Sequence, residues 1–473
     1  MRKTKIICTL GPACDDEETL KQMIAEGLDC ARLNFSHGTH AEQKVRMERI
    51  KKIRKELNVP LPILLDTKGP EIRVRTFKEG KVVLTKGQEF TFSANSDLVG
   101  DENIVGLSYP DLTKFIKEKG VKILADDGNM SFEVIDFKGK DIVTKVIHGG
   151  TLSNRKSINI PGVVIDMPYI SDADRSDIIF GIQECVDYIA ASFVRRKEDI
   201  YDIRKLLSQY DTSGKIKIIA KIENTEGVQK IDEIVDAADG IMVARGDLGV
   251  EVDFTQLPPI QKSLISKCYH QGKIVVTATQ MLDSMQQNPR PTRAEVSDVA
   301  NAIYDRTTAI MLSGESAAGK YPIESVRAMK EIADCTEEHI DFKQRFVESN
   351  LNLGDDFLSA ICNAAVLTAH QVGAKAIICV TNHGQTAFKL SAYRPYCPII
   401  SITVDEKACR QLNLAWNVYP VYAEKKKTTD ELFQYAIEKA LESGIVKEGD
   451  KVVITGASAV GNAITDTIKI HIL

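Results

Sequence analysis

IIAKIENTEG, residues 218–227, reads as a buried strand of small and β-branched residues that runs out into charge. Side chains two apart on a strand point to the same face, so Lys221 and Glu223 share one. IMVARGDLG at 241–249 repeats the plan, an apolar run ending in Arg245, Gly246 and Asp247. A lysine and two carboxylates at neighbouring strand ends would hold a divalent cation and an anionic substrate together. Charge after an apolar strand also arises where strand ends simply meet water, and either half alone favours that plainer reading.

Outward from this pair, the same texture recurs in KIICTLG (5–11), DCARLNFS (29–36), PILLDTKG (62–69), DYIAASF (187–193), KIVVTATQ (273–280) and TAIMLSG (308–314). Amphipathic helical stretches such as HAEQKVRMERIKKIRKEL lie between these runs. Strands buried on both faces and alternating with helices predict an α/β fold, a closed parallel (β/α)8 TIM barrel. An open doubly wound sheet is the alternative, and polar residues collecting at the strands' C-terminal ends favour the barrel. The barrel is expected over residues 1–69 and 169–345. Residues 70–168 interrupt it with period-2 alternation and Gly-containing turns, an all-β insertion at the mouth where barrel active sites are built. Such an insertion is placed to act as a lid. Residues 346–473 restart as a compact α/β domain with a five-strand sheet, and the end at Leu473 predicts no appended domain.

Composition narrows the classes. Hydrophobic residues make up 43% and charged ones 27% of 473 residues, ordinary globular usage. The net charge of −5 gives no general attraction to nucleic acid or membrane. No apolar run reaches the roughly 18 residues of a membrane span. Ten cysteines without a CxxC pair predict reduced thiols and a cytoplasmic location. GESAAGK (314–320) matches GxxxxGK, but Tyr321 stands where a P-loop needs Ser or Thr. GASAVGN (456–462) lacks the lysine, and no GxGxxG occurs.

The strand ends together bring Arg32, Asn34 and Ser36, read as alternate residues facing one way, then Asp66, Thr67 and Arg73, then Lys221, Glu223, Asp247, Thr279, Ser313 and Glu315. Carboxylate oxygens suit Mg²⁺ or Mn²⁺, and Mg²⁺ uses one or two of them beside water and substrate phosphate. With Arg32, Arg73 and Lys221 as cations and no nucleophilic Ser–His or Cys pair, the inventory suits phosphoryl transfer.

ARLNFSHG, LLDTKGPEIR, IIAKIENTEGV, VARGDLGVE, TATQMLDSM, PTRAEVSDVANA and MLSGESAAGKYP, in this order along the chain, resemble the pyruvate kinase family. The resemblance implies phosphoryl transfer from phosphoenolpyruvate to ADP, giving pyruvate and ATP, in a homotetramer regulated through domain movement. It implies that Glu223 and Asp247 hold Mg²⁺, that Lys221 stabilises the phosphoryl group in flight, and that Arg32 binds phosphate. Gly246 and Thr279 would contact substrate, and Arg73 and Lys156 the nucleotide phosphates. Asn34, Ser36, Asp66 and Thr67 would form a K⁺ site, and Glu71 is the residue carried by K⁺-dependent members. Thr279, or water near Ser313 and Glu315, would protonate the enolate; a threonine hydroxyl has no pKa near neutrality, which favours water.

Three departures stand out. KSINIPG replaces the usual KGVNLPG, placing Ser157 at a glycine. DRTTAIMLSGES replaces DGxDAIMLSGE(S/T), so that Arg306 and Thr307 alter the turn before the eighth strand. TNHGQT (381–386) retains Gly384 and Thr386 of a phosphate-binding loop but carries His383 for serine, leaving a phosphorylated effector of open identity. Two rival functions remain at this level: a barrel aldolase using Lys221 as a Schiff-base amine, and a catalytically inactive metabolite-binding relative. Glu223 beside Lys221 argues against the first, and the intact set of charged residues against the second.

Overall fold

The computed structural model describes residues 1–210, 215–349, 351, 353–426, 428–458 and 464–473. The second half of the GASAVGN run therefore lies outside the described residues. Eight parallel strands close on themselves in sequence order. They are β1 (Lys5–Thr9), β2 (Cys30–Asn34), β3 (Ile63–Asp66), β4 (Tyr188–Ala191), β5 (Lys217–Ile222), β6 (Gly240–Ala244), β7 (Ile274–Ala278) and β8 (Ala309–Leu312). The runs read as strands from the sequence are these strands, and the barrel, not the open sheet, is the fold.

Alternation along each strand sorts its residues between two cores. Ile7, Cys30, Leu64, Tyr188, Ile219 and Met242 fill the barrel interior. Ile6, Cys8, Ala31, Ile63, Ile218 and Ile241 face the surrounding helices. Both faces are apolar because helices cover the outside, which is why the strands read as continuous apolar runs. The helices begin and end where local chemistry dictates. Asp16 caps Glu17–Glu26 by accepting the Thr19 N–H at 2.8 Å. Gly27, at φ 118°, ends that helix in a left-handed turn costly for any other residue. Thr39 and Glu42 form a reciprocal capping box on His40–Glu56.

The insertion folds around a seven-stranded sheet whose order, by residue range, is Ile72–Arg73, Ser157–Asn159, Lys122–Ala125, Met130–Lys138, Asp141–His148, Glu89–Ser93 and Ile104–Gly106. Phe90, Phe92 and Phe132 pack edge to face at its centre. The two chain passages into it are neighbours, since Ser157 pairs with Arg73.

The C-terminal part carries β9 (Ala376–Val380), β10 (Ile399–Thr403), β11 (Val418–Tyr422), β12 (Lys451–Gly456) and β13 (Thr467–Ile472). They form one sheet in the order β11-β10-β9-β12-β13, with β13 antiparallel. This part closes the barrel's N-terminal end. Leu414 joins the interior cluster, the Tyr188 hydroxyl donates to Gln411 O at 2.6 Å, and Lys5 Nζ donates to Val418 O at 2.8 Å. Among the described residues no helix is long and apolar enough to cross a membrane.

Candidate active site

Period 2 carries each interior stripe upward to the mouth. On β5 the inward series Ile219, Lys221, Glu223 turns from apolar to charged at its last two members. On β2 Cys30 is followed by Arg32, and on β3 Leu64 by Asp66. These ends converge. Lys221 Nζ lies 3.1 Å from Asp66 Oδ1, 3.0 Å from Glu223 Oε1 and 2.8 Å from Ser192 Oγ. Arg32 Nε donates to Asp66 Oδ2 at 2.7 Å and its Nη1 to Thr9 Oγ1 at 2.7 Å. Arg32, Asp66, Lys221 and Glu223 are all buried.

The charges shift one another. Burial works against the Lys221 ammonium, but Asp66 and Glu223 outweigh it and hold the lysine charged well above its usual range. Burial would raise Asp66, yet Arg32 and Lys221 hold it below the ordinary carboxylate value. Burial pushes Glu223 up to about 7 against the pull of Lys221, with Asp247 adding its own charge. Asp247 is raised too, by burial. Glu223 Oε2 accepts the Phe193 N–H at 2.7 Å, while Oε1 is held by the Lys221 ammonium, which it shares with Asp66. Two crowded carboxylates therefore carry more negative charge than their one lysine neutralises.

Asp247 sits in the first turn of the short helix Arg245–Glu251, beside Gly246. The Gly246 N–H is not bare: it donates to Thr279 Oγ1 at 2.8 Å, and that hydroxyl donates to Ala278 O at 2.6 Å. A Cβ at Gly246 would meet Thr279 only at ordinary contact distance, so the protein itself does not require glycine there. Thr279 adopts φ 65°, and Arg245 holds that turn by donating from Nη2 to Thr279 O at 2.7 Å. Ser313 Oγ is buried without a partner, while Glu315 accepts the N–H groups of Ser313 and Leu282 and is held in the frame by them.

Other expected residues are placed less directly. Ser36 does not continue β2: it lies exposed in the following turn, its N–H donating to Asn34 Oδ1 at 3.0 Å, because the asparagine side chain turns the chain out of the strand. Asn34 and Asp66 are direct neighbours in register, and the Thr67 hydroxyl accepts the Ser192 N–H at 3.1 Å. In the insertion, Arg73 is bound by Glu71 at 2.8 Å and Lys156 by Asp126 at 2.5 Å, so neither cation is without a partner. A cleft of about 150 Å³ lies beside the cluster, between Glu71, Ile158 and Asn159 of the insertion and Phe193, Asn224 and Glu251 of the barrel. Asn159 Nδ2 donates across it to Glu251 Oε1 at 3.0 Å. In the C-terminal loop, the Gly384 N–H donates to Thr381 Oγ1 at 3.2 Å and the Thr386 hydroxyl pairs with that of Thr465 at 2.7 Å.

The sequence reading passed over Ser192, Thr9 and Phe193. The first two were legible: Tyr188, Ala190, Ser192 and Ile7, Thr9 are in phase with interior residues. Phe193, at φ 54°, acts through its backbone and left no signal.

Residues 1–326 match the family model described as "Pyruvate kinase, barrel domain", and residues 359–471 the one described as "Pyruvate kinase, alpha/beta domain". The chain is 48% identical to the pyruvate kinase of Sporosarcina psychrophila over its whole length, covering 81% of that protein. It is likewise 48% identical over its whole length to that of Geobacillus stearothermophilus, covering 80% of it. With the Clostridium perfringens pyruvate kinase it shares 48% identity over 96% of each chain. The chain belongs to the pyruvate kinase family. It is therefore an enzyme, a phosphotransferase. For a pyruvate kinase, the donor set at Glu223 and Asp247 fits a divalent cation, since two buried carboxylates, both raised by burial, share one lysine with Asp66 and leave negative charge for it to neutralise. No group of three or more His, Cys, Asp or Glu suited to a metal occurs among the described residues.

Proposed function

We propose that the chain transfers the phosphoryl group of phosphoenolpyruvate to ADP, giving pyruvate and ATP as the last step of glycolysis in the cytoplasm. The observation that supports this most is Lys221, buried and kept cationic between Asp66 and Glu223, with Asp247 adjoining. A compact ammonium fixed at that point neutralises charge on a phosphoryl group as it moves, and catalysis of this class is mostly positioning and charge neutralisation.

Glu223 and Asp247 would hold Mg²⁺ or Mn²⁺, which when bound supplies Lewis-acid polarisation of substrate oxygens. Asn34, Ser36, Asp66 and Thr67 offer oxygen donors only, the set that suits K⁺, with Glu71 marking K⁺ dependence. Arg32, held by Asp66 and Thr9, presents its guanidinium to substrate phosphate. Gly246, in the first turn of its helix, and Thr279, whose hydroxyl accepts the Gly246 N–H, bound the place for the substrate carboxylate. The enolate receives its proton from Thr279 or from water near Ser313 and Glu315. Residues 70–168 serve as a lid over the barrel of 1–69 and 169–345: Arg73 and Lys156 exchange their carboxylate partners for nucleotide phosphates as it closes. Residues 346–473 regulate, with a phosphorylated effector at 381–386, in a homotetramer.

The raised charge state of Lys221 speaks against a Schiff-base aldolase, whose lysine must be neutral to attack. An inactive relative would have no reason to keep these buried charges together. Pyruvate release from phosphoenolpyruvate and ADP, coupled to lactate dehydrogenase, tests the reading. Turnover that requires Mg²⁺ and K⁺ is expected. Its absence with Mg²⁺ present would refute the activity, and full turnover without K⁺ would refute the roles of Glu71 and the oxygen cluster.

A further inference from the structure

The foot of the barrel carries one motif four times. The residue preceding each of β2, β4, β6 and β8 is Asp29, Asp187, Asp239 or Thr308. Their backbone N–H groups donate to the carbonyls of Ile6, Ile63, Ile218 and Val275 on the preceding strand, at 2.9, 3.0, 2.9 and 2.9 Å. Each side chain then accepts the N–H of that same partner, at 2.8, 2.9, 2.8 and 3.2 Å. Each also carries an arginine: Arg2 on Asp29, Arg410 Nε on Asp187 at 2.8 Å, and Arg204 Nη2 on Asp239 at 3.0 Å. At the fourth position Arg394 Nη2 donates to Thr308 Oγ1 at 3.1 Å. All four places have their arginine and only three have a carboxylate.

Unpartnered nitrogens alone do not mark the difference, since Nε and Nη1 of Arg2 also lack acceptors beside Asp29; the difference is that, among the described residues, Arg394 has no carboxylate in contact. Its Nε and Nη1 are buried and donate to nothing, while its face lies 4.7 Å from the Trp416 ring centre. Arg306, at φ 76°, lies over Tyr269 and lends only its carbonyl to Arg394, at 3.1 Å. Arg345 donates to Tyr304 O. The carboxylates from neighbouring elements are already committed. Glu337 accepts the N–H groups of Lys3 and Thr4 at 2.7 Å each, Asp305 is bound by Lys262 at 2.6 Å, and Asp341 accepts the Gln344 N–H at 3.0 Å. Lys3 adds a further ammonium, 5.0 Å from the Phe342 ring centre. Burial pushes Arg394 down to about 9 and Arg306 adds to it, against the opposing pull of Tyr269 and Glu337.

Beside these groups is a cavity of about 20 Å³, lined by Thr4, Tyr269, Arg306, Glu337, Arg394 and Trp416. It has room for roughly one water-sized particle. We propose that this corner binds a compact monovalent anion of the halide class, held by Arg394 Nε and Nη1, which stands in for the missing fourth carboxylate. A guanidinium pairs strongly with an anion when both are desolvated. Phosphate and sulfate are too large for the space.

The thermal midpoint of the full chain, measured in chloride against gluconate at constant K⁺ and ionic strength, tests this. A rise of about 2 °C between roughly 1 and 100 mM chloride is expected from preferential binding to the folded state. Thr308→Asp supplies the carboxylate from within and is expected to abolish that rise, as is Arg394→Gln. Bromide soaked into crystals of the unaltered protein is expected to give an anomalous peak beside Arg394. A chloride shift of equal size in Thr308→Asp, no chloride-specific shift at all, or no bromide at Arg394 would each overturn the assignment.

Discussion

At the foot of the barrel Asp187 is fully buried with both oxygens occupied, Oδ2 by the Ile63 N–H and Oδ1 by Arg410. At the mouth Glu223 is as deeply buried, yet the ammonium on its Oε1 is shared with Asp66 and its carboxyl is pushed up to about 7 by burial. The same parallel strands thus end in two kinds of charge. Foot charges are met by the protein's own backbone and arginines, although burial raises the Asp187 carboxyl as well. Mouth charges are left partly uncompensated, which costs stability and leaves electrostatic capacity for a metal and a phosphate.

The sharpest way to break this comparison is Asp247→Asn. Loss of a group poised for charge in the transition state lowers kcat by about 10²–10³-fold. The midpoint of the metal-free protein is expected to hold or rise, because one of two crowded carboxylates is neutralised. Near-normal turnover would remove Asp247 from the site. Asp187→Ala should do the reverse. Leaving Arg410 and the Ile63 N–H unpaired destabilises by about 3–5 kcal/mol in denaturant unfolding, with activity per folded molecule kept. An unchanged midpoint, or a selective loss of kcat, would dissolve the distinction between the two ends.

A smaller effect belongs to the packing beside the foot. His370 lies edge-on to Phe346 and is pushed down to about 4 by burial, with Lys343 adding to it. The native state keeps this imidazole neutral while the unfolded chain, with a value of about 6.5, takes up a proton. Its neutral form therefore supports folding fully above about pH 6.5, and that support is lost as the pH falls toward about 4. His370→Gln should flatten the curve of melting midpoint against pH in that window. Parallel curves for the two proteins would clear His370 of any part in it.

Much of the barrel was legible because an interior stripe and an outer stripe must both be apolar, and eight such runs have few other ways to pack. The converging cations and carboxylates were legible for the same reason: period 2 carries Lys221 and Glu223 to one side whatever the rest of the chain does. Ser36 was misread because alternation was extended past the point where Asn34 turns the chain. The bareness of the Gly246 amide was misjudged because its acceptor, Thr279, comes from another strand. Arg73 and Lys156 were seen as cations but not as cations already held by Glu71 and Asp126.

The sequence by itself determined the strands, their inward faces and the charged residues at their ends, since these follow from local alternation and residue type. Only the tertiary structure decided which charges are balanced. Whether Glu223, Asp187 or Arg394 has a partner depends on which strands and arginines, distant in the chain, arrive beside it, and no local pattern records their arrival.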